Sequence, residues 1–332
     1  MANYKDIHGA LIETVSSDPS DPVNGQVWYN STTLALKGFT SNPAGSWSTS
    51  GAMNNGRGDV GSAGTQTSAI AIAGGAPPPF SADSESYNGS TWTELANLNT
   101  ARYLGGGAGA SSTAALYFGG NGASGVTDIV ESFNGTSWTE VGDLNNKKLM
   151  PGSNAGTQTA AISMGGQRGA ANLDETELFN GTAWTEVGNL GQARYQAAAG
   201  GPSNTANLCF GGRYRPPGTA QAIVESWDGT SWTEITDVNS ARFGWCGSGT
   251  TTAALGIAGY DNSPAIIGKA ELWNGTAWAE QNDLSQGRYG FGASIMSSTA
   301  SVAFCAPPGA PGRGLTEEWN APTTATVTFT VS

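Results

Sequence analysis

Six cationic side chains recur at one offset in this chain. Arg57, Arg102, Lys148, Arg194, Arg242 and Arg288 each stand ten residues after a tryptophan, at Trp47, Trp92, Trp138, Trp184, Trp232 and Trp278. A cation repeated once per unit has two chemistries open to it. A ring of such groups at the mouth of a central channel would gather an anionic ligand. Alternatively each cation serves its own unit, through hydrogen bonds or ion pairs with Glu85, Glu131, Glu177, Glu225, Glu271 and Glu317. A second group lies in the most varied segments: Arg213, Tyr214 and Arg215 in the loop 213–222, and Tyr260 and Asp261 in the loop 260–269. Stacking aromatics beside guanidinium donors suit a sugar or an anionic surface polymer, and Pro216 and Pro217 limit the cost of ordering the loop.

Other chemistry has little to stand on. His8 is the only histidine, which leaves no Ser-His-Asp triad and no histidine-rich metal site. The glutamates recur too regularly to mark one pair for glycoside cleavage. Asp83, Asp128 and Asp174 recur at the ends of loops, where capping of the loop competes with calcium binding. Cys209, Cys246 and Cys305 have no CxxC spacing and read as buried free thiols. Asn88, Asn134, Asn180 and Asn274 each begin N-G-[ST], and Asp228 holds the same place in the remaining copy; all read as hairpin turns. The expectation is no catalytic residue, no metal and no cofactor.

The elements that position these residues are written repeatedly. ESFNGTSWTEVGDLN at 131–145 has close copies beginning at Glu85, Glu177, Glu225 and Glu271. Six residues after each tryptophan stands Met53, Leu98, Leu144, Leu190, Val238 or Leu284. Each cation opens a Gly/Ala/Ser-rich run, then a small polar turn, then an apolar run that closes on glycine, as in AALYFGG at 114–120. A period of about 46 residues made of short β-type runs signals a propeller, each unit being four antiparallel strands a, b, c and d. The prediction is an all-β chain. Residues 1–45 form a polar segment with a β-hairpin (25–30 and 34–39) that serves as a possible anchor, and 46–332 form a six-bladed propeller. Seven blades is the alternative, if the hairpin and Trp47 make a blade of their own. In the six-bladed case the Trp47 strand is expected to complete the last blade, with the run 324–332 as the alternative. The d-to-a and b-to-c loops share one face, and the long, varied b-to-c loops make it the expected binding surface.

Composition bounds the partners. Glycine is 49 of 332 residues and charged residues are 12%, which fits short strands and tight turns rather than helices. A net charge of −12 without a basic run argues against nucleic acid. No run approaches the length needed to span a membrane, and MANYKDIHGA lacks the apolar core of a signal peptide. Low charge, abundant Ser, Thr, Asn and Gly, and eleven tryptophans fit a protein made in the cytoplasm that works outside a cell.

A double glycine ending strand b, an aromatic before a turn, a tryptophan shortly after it, then leucine and arginine at fixed offsets, together resemble the kelch repeat over about residues 46–320. The step from Tyr87 to Trp92 is one residue shorter than the usual pattern, and the sixth copy has Cys305-Ala306 for the glycines. The YNGTSW-type turns and the GTQTSA and GTQTAA runs are similar to kelch-like proteins of bacteriophage particles, and GQVWYNSTT resembles segments of phage tail-fibre proteins. The resemblance implies a non-enzymatic virion structural or attachment protein. Its partners would be other virion proteins or a host surface glycan or protein receptor, with homo-oligomerisation through the N-terminal segment. A non-viral kelch scaffold that binds a protein is the alternative, and a carbohydrate-active enzyme stands behind both. The single histidine sets aside the copper chemistry of kelch-containing galactose oxidases.

Overall fold

The computed structural model describes residues 12–23, 25–42, 44–75, 80–151, 155–263, 265–306 and 313–329. His8 and most of the first b-to-c loop, 76–79, lie outside them. The described residues are strands and turns without a helix, so the chain is all-β as predicted. Contacts divide it into two units, Met1–Gly45 with Pro322–Ser332, and Ser46–Ala321.

The first unit is one sheet in the order Glu13–Val15, Val27–Asn30, Ala35–Asn42, Thr323–Phe329. The predicted hairpin is present, with Val27 opposite Gly38 and Asn30 opposite Ala35. Two neighbours of the hairpin differ from the sequence reading. Residues 13–15, in the polar segment where no strand is expected ahead of the hairpin, pair parallel to the hairpin's first strand. A parallel partner needs a crossover, so no local turn signal announces it. Asp18 anchors that crossover. Its carboxylate accepts from Lys37 Nζ at 2.7 Å, Asn30 Nδ2 at 2.7 Å and Trp28 Nε1 at 3.0 Å, and these bonds, Lys37 foremost, hold it down at about 2. The C-terminal strand pairs with Ala35–Asn42, so it completes this sheet and no repeat.

The second unit holds six four-stranded sheets. The first runs Gly61–Thr65, Ser68–Ile72, Ser84–Tyr87, Trp92–Glu94, with every neighbouring pair antiparallel. The next four open at Gly106–Ser111, Gly156–Thr157, Ala198–Ser203 and Cys246–Thr250. They close at Trp138–Glu140, Trp184–Glu186, Trp232–Ile235 and Trp278–Gln281. The sixth runs Gly292–Ala293, Ala300–Phe304, Thr316–Asn320, and its fourth strand is Ser46–Ser50, from the start of the unit. Trp319 there lies opposite Trp47, ring centroids 5.3 Å apart. The hairpin and the Trp47 strand therefore belong to different sheets.

The small residues of the opening strands have a steric reason. Each opening strand packs against that of the next sheet, and the sixth against the first. At Gly107 an added Cβ would meet Ser62 O at 2.3 Å, and at Gly247 it would meet Ala199 O at 2.2 Å. Backbone approaches backbone there, and no side chain fits. Farther out the gaps widen and aromatic rings fill them: Trp92 meets Phe304 of the sixth sheet at 4.7 Å, and Phe210 meets Trp278 at 5.2 Å. The residues six past each tryptophan, Met53 to Leu284, are all buried.

One set of bonds links all six sheets. Two residues after each cation the backbone takes positive φ, at Asp59, Leu104, Met150, Gln196, Gly244 and Gly290. Each of these amides donates to the carbonyl of its counterpart in the preceding copy: Leu104 to Asp59, Met150 to Leu104, Gln196 to Met150, Gly244 to Gln196, Gly290 to Gly244. Asp59 donates to Gly290 and so returns to the start.

Candidate functional site

The six cations lie inside their sheets. All are 0–2% exposed, and each pairs with the glutamate of its own third strand. Arg57 meets Glu85 at 2.6 Å, Arg102 Glu131 at 2.5 Å, Lys148 Glu177 at 2.9 Å, Arg194 Glu225 at 2.7 Å and Arg242 Glu271 at 2.5 Å; Arg288 pairs with Glu317 likewise. Arg102 also donates to the carbonyls of Gly119, Tyr117 and Thr100. These groups are not offered at a channel mouth: they are buried and turned to the glutamates and, for the arginines, to backbone carbonyls that would otherwise be buried unpaired. The glutamates in turn accept from the connection leaving the preceding sheet. Asn99 N donates to Glu131 Oε2 at 2.7 Å, and Asn145 N to Glu177 Oε2 at 2.7 Å. The cation register is the joint between repeats.

Lys148 is the weak member. It reaches Glu177 and, at 3.8 Å, Glu175, but makes none of the carbonyl hydrogen bonds of its arginine counterparts. Lys148→Arg is expected to stabilise the unit by about 1–2 kcal/mol through the restored donors, read as a rise in the midpoint of urea unfolding.

The residues from the varied loops do come together. In the fourth sheet the b-to-c loop closes as a hairpin, Arg213–Tyr214 with Thr219–Ala220, and in the fifth the strands Ala253–Tyr260 and Ile266–Trp273 extend into the loop. Each stands beside the residue that follows a cation, since Tyr195 bridges to Arg213 and Phe243 to Tyr260. The result is a cleft of about 600 Å³ lined by Arg213, Arg215, Tyr260 and Asp261 of the sequence set. Tyr214, 37% exposed, is on the same hairpin but does not line the cleft.

One wall is a continuous stack. The Arg213 guanidinium lies 4.6 Å from the Phe243 ring centre, Phe243 is stacked on Tyr260 at 5.4 Å, and Tyr260 meets Tyr289 at 4.4 Å. Burial, then the hydrogen bond with Tyr260, pushes the Tyr289 hydroxyl up. Arg213 Nε is held by Gly218 O at 2.8 Å. Across the cleft the Arg215 guanidinium lies 5.7 Å from the centre of the Tyr195 ring and, among the described residues, has no hydrogen bond or ion pair. Asp261 Oδ1 accepts from Ser263 Oγ at 2.6 Å and Ser263 N at 2.8 Å, which lowers its titration and holds the turn.

One buried polar group at this cleft is unsatisfied among the described residues. The Tyr195 hydroxyl has no partner although Tyr195 is 2% exposed, and the Gln167 side chain lines the cleft beside it. An unpaired buried group costs about 1–3 kcal/mol, so such groups mark a place that something else completes. A small cavity of about 60 Å³ shares Met150 and Gln196 with the cleft and is lined by Asp59, whose carboxyl burial pushes up to about 6.

Tyr195, Phe243, Tyr289 and Gln167 are absent from the set read from the sequence. A signal exists for three of them: an aromatic follows the cation in Arg102-Tyr103, Arg194-Tyr195, Arg242-Phe243 and Arg288-Tyr289. The predicted turns are present. Asn134 Oδ1 accepts from Thr136 N and Ser137 N at 2.9 Å, and Asp228 does the same for Thr230 and Ser231. The three cysteines are free and buried. Asp83 accepts from Asn55 Nδ2 at 2.7 Å, and no cluster of metal-ligating side chains forms among the described residues.

No protein-family model matches the chain, and no curated protein matches it.

Proposed function

We propose that Ser46–Ala321 is a closed six-bladed β-propeller of kelch type acting as a non-enzymatic binding module. Its setting is a bacteriophage particle, as a structural or attachment protein that meets a host surface receptor through the Arg215 cleft. The closed reading is supported by the amide ring that returns from Gly290 to Asp59 and by the Trp47 strand in the sixth sheet. The binding reading is carried by one observation: a guanidinium without a partner among the described residues and the unsatisfied, buried Tyr195 hydroxyl share a cleft with a wall of aromatic rings. The phage setting rests on the resemblance of the repeats.

The test is a paired substitution in the full chain, Arg215→Ala with Tyr260→Ala, against Thr136→Ala with Thr230→Ala in the c-to-d turns. Particle adsorption to host cells and particle assembly are measured together. Loss of adsorption with intact assembly is expected for the cleft pair alone. Loss of assembly would make the cleft a docking surface for another virion subunit, and loss only in the control pair would put the working surface elsewhere.

A further inference from the structure

Resting on the cleft as the receptor contact, we infer that its ligand is an acidic saccharide, whose carboxylate meets Arg215 and whose ring lies along the Tyr260–Tyr289 wall.

Charge points first to an anion. The protein carries −12 overall, yet the cleft places two guanidiniums on one hairpin. The Arg215 guanidinium has nothing to pair with among the described residues, and Arg213 commits only Nε, to a neutral carbonyl. Elsewhere in the same unit the cations of the repeat are each matched by a glutamate. A planar fork with free donors on an aromatic floor is the arrangement that takes a carboxylate with two parallel hydrogen bonds. The Asp261 carboxylate on the opposite side is turned to its own backbone by Ser263, which leaves the guanidinium side dominant.

The remaining groups favour a sugar over an acidic peptide. Gln167 and the Tyr195 hydroxyl can each donate and accept and both line the cleft, and the buried Tyr195 hydroxyl has no partner among the described residues. Ligand hydroxyls, which also do both, satisfy such groups in pairs. The wall is aromatic rather than aliphatic, and the half-buried rings of Tyr260 and Tyr289 leave ring surface open to the cleft for the apolar side of a pyranose. A volume of about 600 Å³ is within the range of small-ligand sites.

The experiment uses the full chain on an array of uronate-, sialate- and sulfate-bearing glycans beside neutral ones, with poly-glutamate as the acidic peptide. Capture confined to carboxylate-bearing glycans is expected, and it should weaken as salt rises. Arg215→Gln should weaken it by on the order of tenfold, the loss of a charge-assisted pair, and Asp261→Asn should strengthen it. Arg215 is exposed, so the variant's unchanged melting midpoint shows that the fold is kept. Equal capture of neutral glycans, unaffected by Arg215→Gln, overturns the assignment, as does capture of poly-glutamate alone or of nothing. In those cases adsorption that still depends on Arg215 and Tyr260 leaves the receptor reading standing and removes only the ligand class.

Discussion

Replacing Glu131 by alanine is expected to remove about 3–5 kcal/mol of stability, read as a fall in melting midpoint on the order of 10 °C. Glu131 is fully buried and holds two separate parts of the chain. One oxygen takes Arg102 at 2.5 Å and the other takes Asn99 N at 2.7 Å and Asn99 Nδ2 at 2.9 Å. The alanine variant leaves a guanidinium in the interior without its counter-charge, and Gly119 and Tyr117 carbonyls alone do not neutralise it. It also frees the connection that ties the first sheet to the second. Arg102→Met combined with Glu131→Leu should lose less than Glu131→Ala, because no charge is stranded. Urea unfolding of the three proteins checks this, and a loss below about 1 kcal/mol for Glu131→Ala would show that the joint is not where the stability lies.

The second large effect concerns the single strand Ser46–Ser50. A fragment beginning at Ser46 and ending at Ala321 is expected to melt cooperatively. One beginning at Gly51 should melt at least about 10 °C lower or aggregate. The only difference is Ser46–Ser50, which pairs along the whole of Thr316–Asn320 and stacks Trp47 against Trp319. Without it a sheet edge lies open and Trp319, fully buried otherwise, is uncovered, a change comparable to truncating a core tryptophan at about 3–5 kcal/mol. Coincident melting of the two fragments would mean that the sixth sheet does not depend on the strand from the start of the unit.

Both expectations use residues whose places are legible from spacing. The offset from Trp92 to Arg102, and its five counterparts, is kept because the tryptophan closes one sheet while the cation opens the next. The loops are less legible. That Arg213 and Tyr260 would share a surface follows from the order of strands. That Phe243 would lie between them, and Tyr195 under Arg215, depends on the bridges Tyr195 to Arg213 and Phe243 to Tyr260. Those bridges join segments whose own sequences contain no pairing signal. The strand Glu13–Val15 is illegible for the same reason, since its parallel partner lies beyond a crossover.

By itself the sequence determined the repeat, the four-strand unit, the turns and the buried apolar positions. These rest on local chemistry: Asn-Gly turns, alternation, and small residues where backbones meet. Only the tertiary structure decided the rest. It turned the cations inward to glutamates, sent the C-terminal strand to the N-terminal hairpin, and left the Arg215 guanidinium beside Tyr195 without a partner among the described residues. Each of these depends on which distant groups share one low-dielectric or aromatic environment. Pairing there is set by burial and competition among partners, which spacing along the chain does not record.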